Sequence, residues 1–91
     1  MTIVSPKAEW DIIEAIAYYA KIDRELGIKF KNEIQERIYT ISSNPFIHPT
    51  VYKIYRSALT RNFSFAVYFS IEENDDIIKL MLCFHKNSAI G

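Results

Sequence analysis

Near the start of the chain, Ile13, Ile16, Ala17 and Ala20 recur at three- and four-residue spacing, the period of one buried helical stripe. Ser5-Pro6 precedes them as a helix start, with serine able to cap free amide groups and proline preset for the first helical position. The spacing predicts a helix over residues 6–22. Glu9 and Asp11 fall early in it, where the helix dipole favours acids, and Asp11, Glu14 and Lys21 take the wet side. A second stripe of Leu26, Phe30, Ile34, Ile38 and Ile41 predicts a helix over residues 25–42. The link Asp23-Arg24-Glu25 leaves room only for a tight reversal, so the two helices form an antiparallel hairpin. Gly27 costs about 1 kcal/mol in a helix relative to alanine, and marks either close packing of the helices or an early boundary.

The pattern changes after Asn44-Pro45, which ends the second helix; the loop through His48-Pro49 contains two X-Pro bonds that cannot continue it. Valine, isoleucine, tyrosine and phenylalanine then dominate, predicting strands over 51–59, 62–71 and 76–85, with turns near Thr60-Arg61 and at Glu73-Asn74-Asp75. Short turns between successive strands make an antiparallel meander. With a leading strand at Thr2–Val4, the order is β-α-α-β-β-β, an α+β fold. Its helical hairpin packs on one face of a curled, mostly antiparallel sheet that also recruits the first strand. Ninety-one residues make one domain, spanning 1–91, because a chain of this size closes around a single core.

Charge narrows the partners. The chain carries 11 basic and 11 acidic side chains, whereas a free-standing nucleic-acid binder usually has a large basic excess. Locally the balance is uneven: residues 50–71 hold Lys53, Arg56 and Arg61 with no acid, and Glu72, Glu73, Asp75 and Asp76 crowd the next turn. The lone Cys83 lies in an apolar run and reads as a buried small hydrophobe. Two glycines, one cysteine and two separated histidines provide neither a phosphate-cradling loop nor a metal cluster, so no cofactor and no metal are expected. With no leader pattern and no run near the roughly 20 apolar residues of a membrane span, the expected location is the cytoplasm.

Several local motifs, in order, resemble the RelE/ParE superfamily, the toxin halves of type II toxin–antitoxin systems. They are Ile3-Val4-Ser5-Pro6-Lys7-Ala8-Glu9; Leu26-Gly27 with Phe30 and Glu33-Ile34; Asn44-Pro45; Tyr55-Arg56 with Ala58-Leu59; Asn62 through Phe69; and His85 closing the last strand. The chain departs from that pattern at Ser64, where many relatives have proline, which implies a less kinked strand there. It departs again after His85, where Lys86-Asn87-Ser88-Ala89-Ile90-Gly91 replaces a tail that often holds an arginine.

The resemblance implies one of two activities, since both live on this fold. RelE-like members are ribosome-dependent endoribonucleases that cut mRNA, and ParE-like members poison DNA gyrase. A metal-free ribonuclease needs a base, a cation for the phosphorane and an acid. Arg56 and Arg61 could meet phosphate and His85 could move the proton, with Tyr68 or Lys86 in support, but no acid lies within the basic strands. His48, beside Phe46-Ile47 and Pro49, reads as a loop residue, and Trp10, Tyr18 and Tyr19 as core or groove-lining residues. The helical hairpin, the neutral charge and the missing base favour the ParE-like branch: a gyrase inhibitor, associated with plasmid stabilisation and neutralised by a cognate antitoxin. Arg56, Arg61, Tyr68, His85 and Lys86 are then the expected partner-binding residues. Arg56 and Arg61 also suit a simpler role as solvated charges on an edge strand. The alternatives are the ribosome-dependent ribonuclease using Arg56, Arg61 and His85, and a member that keeps only antitoxin binding.

Overall fold

The computed structural model of the chain describes residues 1–72, 74 and 77–85. Strand β1 (Thr2–Val4) leads into helix α1 (Pro6–Ile22) and helix α2 (Arg24–Ser43). A 3-10 turn at Pro45–Ile47 follows, then β2 (Thr50–Tyr52), β3 (Tyr55–Leu59), β4 (Phe65–Glu72) and β5 (Ile77–His85). The strands form one open sheet in the order β1-β5-β4-β3-β2. Its pairs are antiparallel except for β1, which runs parallel to β5. The helical hairpin covers one face, giving the expected α+β architecture with one strand more than the sequence pattern suggests.

That extra strand arises because residues 51–59 do not run straight. Lys53 takes φ +50°, so the chain reverses between Tyr52 and Tyr55, which face each other across a two-residue hairpin. Strand-prone residues flank the reversal on both sides and no glycine, asparagine or aspartate marks it, so the composition of the run carries no sign of it. Lysine holds a left-handed conformation at a cost that glycine or asparagine would avoid. Ser64 also lies in this region, at φ +51°. It stands outside β4 in a four-residue loop closed by Thr60, whose amide donates to the Phe65 carbonyl at 2.9 Å and whose Oγ1 accepts from the Phe65 amide at 3.0 Å. The expected straighter strand at Ser64 is therefore replaced by a turn, and proline, locked near φ −65°, could not occupy this conformation.

Helix α1 is rotated relative to the predicted stripe. Ala8 and Ala15 are buried, with Ile12, Ile16 and Tyr19 packed partly against the core, while Ile13, Ala17 and Ala20 are exposed. Asp11, expected on the wet side, has a side chain only 9% exposed. The physical reason lies in the sheet edge. Strand β1 pairs with β5 only as far as Leu80, and the β4–β5 register slips between Tyr68, opposite Leu82, and Phe69, opposite Leu80, leaving Met81 as the extra residue of a bulge. Beyond the end of β1, helix α1 supplies the missing partners. Ser5 Oγ donates to the Met81 carbonyl at 2.9 Å and also accepts from the Ala8 amide at 3.1 Å as the helix cap. Asp11 Oδ2 accepts from the Cys83 amide at 3.0 Å, and its Oδ1 is paired with Lys7. Alanines on this face let the helix come close enough for those bonds, whereas the larger Ile13 would hold it away.

Helix α2 follows its predicted stripe, with Phe30, Ile34 and Ile41 buried. Asp23 alone separates the helices: its amide donates to the Tyr19 carbonyl at the end of α1, and its Oδ1 caps α2 by accepting from the Glu25 amide at 3.0 Å. Gly27 settles as a close-packing site, since a Cβ there would stand 2.8 Å from Ala20 Cβ and 2.9 Å from Ala20 Cα. Phe30 centres the core, its ring centroid 4.9 Å from Tyr19, 5.1 Å from Phe63 and 5.0 Å from Phe65. The sheet side of that core is Ala58, Phe65, Val67, Phe69, Ile78, Leu80 and Cys83. Glu33 ties α2 to the loop before β4 by accepting from the Asn62 amide at 2.7 Å and from Asn62 Nδ2 at 2.9 Å.

Candidate partner-binding site

A cleft of about 370 Å³ opens where α2, the 44–49 loop and the β2–β3 corner meet, lined by Arg37, His48, Pro49, Val51, Ser57, Leu59 and Tyr68. Each element brings its residue there for a local reason. Arg37 sits on α2 three residues after Ile34 and four before Ile41, so it falls on the apolar stripe and is half-buried. The loop is drawn back across the sheet edge by a bond from the Ser57 amide to the Pro49 carbonyl at 3.2 Å. This presses His48 against Phe69, with ring centroids 5.7 Å apart and near perpendicular.

His48 is only 8% exposed, and burial lowers its pKa below the ordinary histidine range, with the Arg37 and Arg56 guanidinium charges adding to the effect. Its imidazole is therefore neutral at pH 7. His48 Nε2 and Arg37 Nε are both buried and without a hydrogen-bond partner among the described residues. No acid lines the cleft among the described residues. Such groups are ordinarily paired, so this corner holds uncompensated polar and cationic character.

The residues expected from the sequence divide between places. Arg56, on β3, is half-buried; its Nη1 donates to the His48 carbonyl at 2.7 Å, and its guanidinium stands 5.3 Å from the centre of the Phe46 ring. It braces the loop beneath the cleft, a more built role than that of a solvated edge charge. Tyr68 lines the cleft itself. Arg61 lies elsewhere, in a groove with Lys29, Asn32, Glu33, Glu36 and Asn62. Its side chain is 73% exposed and 3.8 Å from Glu36, the position of a solvated charge. His85 is the last residue of β5, opposite Phe65, and Lys86 falls outside the described residues. Arg56 and Tyr68 are thus gathered at one corner, while Arg61 serves another.

Sequence reasoning missed Arg37 and underestimated His48. A signal for Arg37 was present, since position 37, three after Ile34 and four before Ile41, falls on the apolar face yet carries a charge. His48 lies in a loop, as its neighbours imply, but its burial depends on the loop folding back onto Phe69, and adjacent residues do not reveal that.

Trp10 and Ile13 on α1 are more than half exposed, as are Phe46, Ile47, Val51 and Tyr52 around the cleft. Tyr19 joins the core, whereas Tyr18 is 58% exposed. No group of three or more metal-ligating side chains occurs among the described residues, and none of their helices is long and apolar enough to cross a membrane.

No protein-family model matches the chain, and no curated protein matches it significantly. Among solved structures, the chain is similar to one described as "Chromosomal ParDE TA system from P. aeruginosa", with a TM-score of 0.80 at 15% sequence identity over 92% of each chain. At that identity the likeness is one of fold, and the fold of this chain is that of a ParDE toxin–antitoxin system chain.

Proposed function

We propose that the chain is the toxin component of a type II toxin–antitoxin pair, of the ParE-like kind, which inhibits DNA gyrase in the cytoplasm and is neutralised by a cognate antitoxin. The observation that carries this reading is the match of fold over 92% of both chains to a ParDE-system chain. The exposed Trp10 and Ile13 on α1 supply an apolar helix surface of the kind that an amphipathic antitoxin segment covers. The ribonuclease alternative asks Arg56, Arg61 and His85 to act together, yet Arg56 braces the His48 loop and Arg61 faces Glu36 in a separate groove. Gyrase inhibition needs no such pairing.

The test is tightly induced expression without antitoxin, with labelled amino acid incorporation, DNA damage and plasmid supercoiling followed in the same culture. DNA damage or altered supercoiling before translation falls is the expected result. An immediate translation block with cut mRNA, or no growth defect at all, would overturn it.

A further inference from the structure

The cleft beside β2 has features that the toxin reading alone does not use. Arg37 is half-buried with no carboxylate within salt-bridge distance among the described residues, and its Nε has no acceptor. His48, more than nine-tenths buried, lines the same cleft with Nε2 unbonded. Arg56 does not line the cleft but adds a second cation behind His48, donating to its carbonyl. Removing a guanidinium from water without an anion is costly, and a cleft lined by Arg37 and His48, with no acid among its described lining residues, complements a carboxylate.

The surroundings define what would carry that carboxylate. Pro49, Val51 and Leu59 form apolar walls, and Phe46, Ile47 and Tyr52 stand exposed nearby. This is the lining expected of a protein segment with apolar residues on either side of its acid, whereas a nucleic-acid backbone would call for more cations and flat stacking surfaces. Strand β2 is the outermost strand of the sheet, exposed at all three positions, and Val51 belongs both to it and to the cleft. An extended segment can therefore add alongside β2 while turning alternate side chains toward the cleft.

We infer that the Arg37–His48 cleft is a docking pocket for one Asp or Glu side chain of an extended partner segment, flanked by apolar residues and laid along β2. Arg37 receives the carboxylate, and Arg56 holds the His48 loop in place for it. Because Arg37 Nε is itself buried, the acid is seated once the Arg37 side chain shifts to present its guanidinium to the cleft. The inference rests on the antitoxin-neutralised reading, for which it names the chemistry of one contact. Its test is separate, because peptide binding is read without reference to growth arrest.

The probe is a synthetic peptide, Val-Thr-Glu-Val-Leu blocked at both ends, compared with its Gln counterpart, each titrated against the full chain by calorimetry and by amide NMR. The Glu peptide is expected to bind at least tenfold more tightly than the Gln peptide, with shifts concentrated at His48 and at residues 50–52. Arg37→Gln should remove that preference while leaving the Gln peptide unchanged. Because Arg37 is half-buried, Val51→Asp provides a second variant at an exposed position that leaves the core intact; its carboxylate should weaken the Glu peptide at least tenfold. Equal affinity for the two peptides, shifts centred away from the cleft, or a preference that survives both variants would overturn the inference. So would tighter binding of a short oligoribonucleotide to the same residues, or self-association of the chain that Arg37→Gln abolishes.

Discussion

Replacing Gly27 with alanine sets two effects of known size against each other. Alanine gains up to about 1 kcal/mol over glycine in a helix, so propensity alone makes the variant more stable. The structure opposes this: the new Cβ would stand 2.8 Å from Ala20 Cβ, 2.9 Å from Ala20 Cα and 3.0 Å from Ala20 N. Carbon atoms pack at about 3.5–4.0 Å, so the helices must separate by roughly 1 Å. Two of the three colliding atoms are backbone, and Asp23 alone joins the helices, so neither a rotamer change nor a slack loop can absorb the movement. Overpacking costs about 1–3 kcal/mol, and a backbone collision belongs in the upper part of that range. The net expectation is a loss of about 1–2 kcal/mol, which at about 4–8 °C per kcal/mol for a domain of this size lowers Tm by between about 4 and 16 °C. Urea and thermal unfolding of the two proteins measure it. A second variant sharpens the argument: adding Ala20→Gly removes the Cβ contact but leaves the Cα and N contacts, so the double mutant should be no more stable than Gly27→Ala. A Gly27→Ala protein as stable as the parent or more so, or full rescue by Ala20→Gly, would refute the close-packing account.

Three further outcomes follow from individual bonds and charges. Asp11→Ala leaves the Cys83 amide without its acceptor and should lose about 1–3 kcal/mol in urea denaturation, whereas Asp11→Asn, which keeps an oxygen in place, should lose clearly less. Cys83 is buried and its thiol pKa is pushed up to about 12, so its thiolate fraction at pH 8 is about a thousandfold below that of a free thiol; alkylation should proceed only through opening of the sheet, and labelling as fast as in a peptide would contradict this burial. The lowered pKa of His48 means that the unfolded chain binds the extra proton first. Its contribution to stability is therefore present above the unfolded value near pH 6.5 and is lost as pH falls from there through the folded pKa. Stability measured between pH 7 and 5 should fall more steeply for the parent than for His48→Gln, and parallel curves would show that His48 is not buried neutral.

The fold was legible wherever periodicity had one solution. Helix α2 has a single stripe, and Phe30, Ile34 and Ile41 went where it pointed. Helix α1 has two competing apolar faces, one with Ile13, Ala17 and Ala20 and the other with Ala8, Ala15 and Tyr19. Counting apolar residues does not decide between them, but the unpaired edge of β5 requires Ser5 and Asp11 to reach Met81 and Cys83, and that turns the face of Ala8 and Ala15 inward. The deciding force is thus hydrogen-bond satisfaction some seventy residues away, which no local window contains. The β2–β3 reversal was missed for a different reason. The residue at its left-handed position is Lys53, with no glycine, asparagine or aspartate at the turn to announce it.

The same distinction separates the two parts of the candidate site. Arg56 and Tyr68 stood out because they lie in a strand run whose charges are all basic, a property of adjacent residues. His48 became significant only once the 44–49 loop folded over the sheet edge, and it is Arg56, through the His48 carbonyl, that helps hold the loop there. Arg37 approaches the same place from α2, where it occupies a stripe position that an apolar residue would fill with less desolvation cost. Isoleucine or leucine at that position would close the corner with ordinary core contacts, as Ile34 and Ile41 do on either side. An arginine kept on a buried stripe beside a neutral histidine, with no anion beside it among the described residues, is therefore poor design for an isolated domain. It becomes reasonable if this corner is completed by an acid from a second chain, and the preference of the cleft for glutamate over glutamine is the direct measure of that difference.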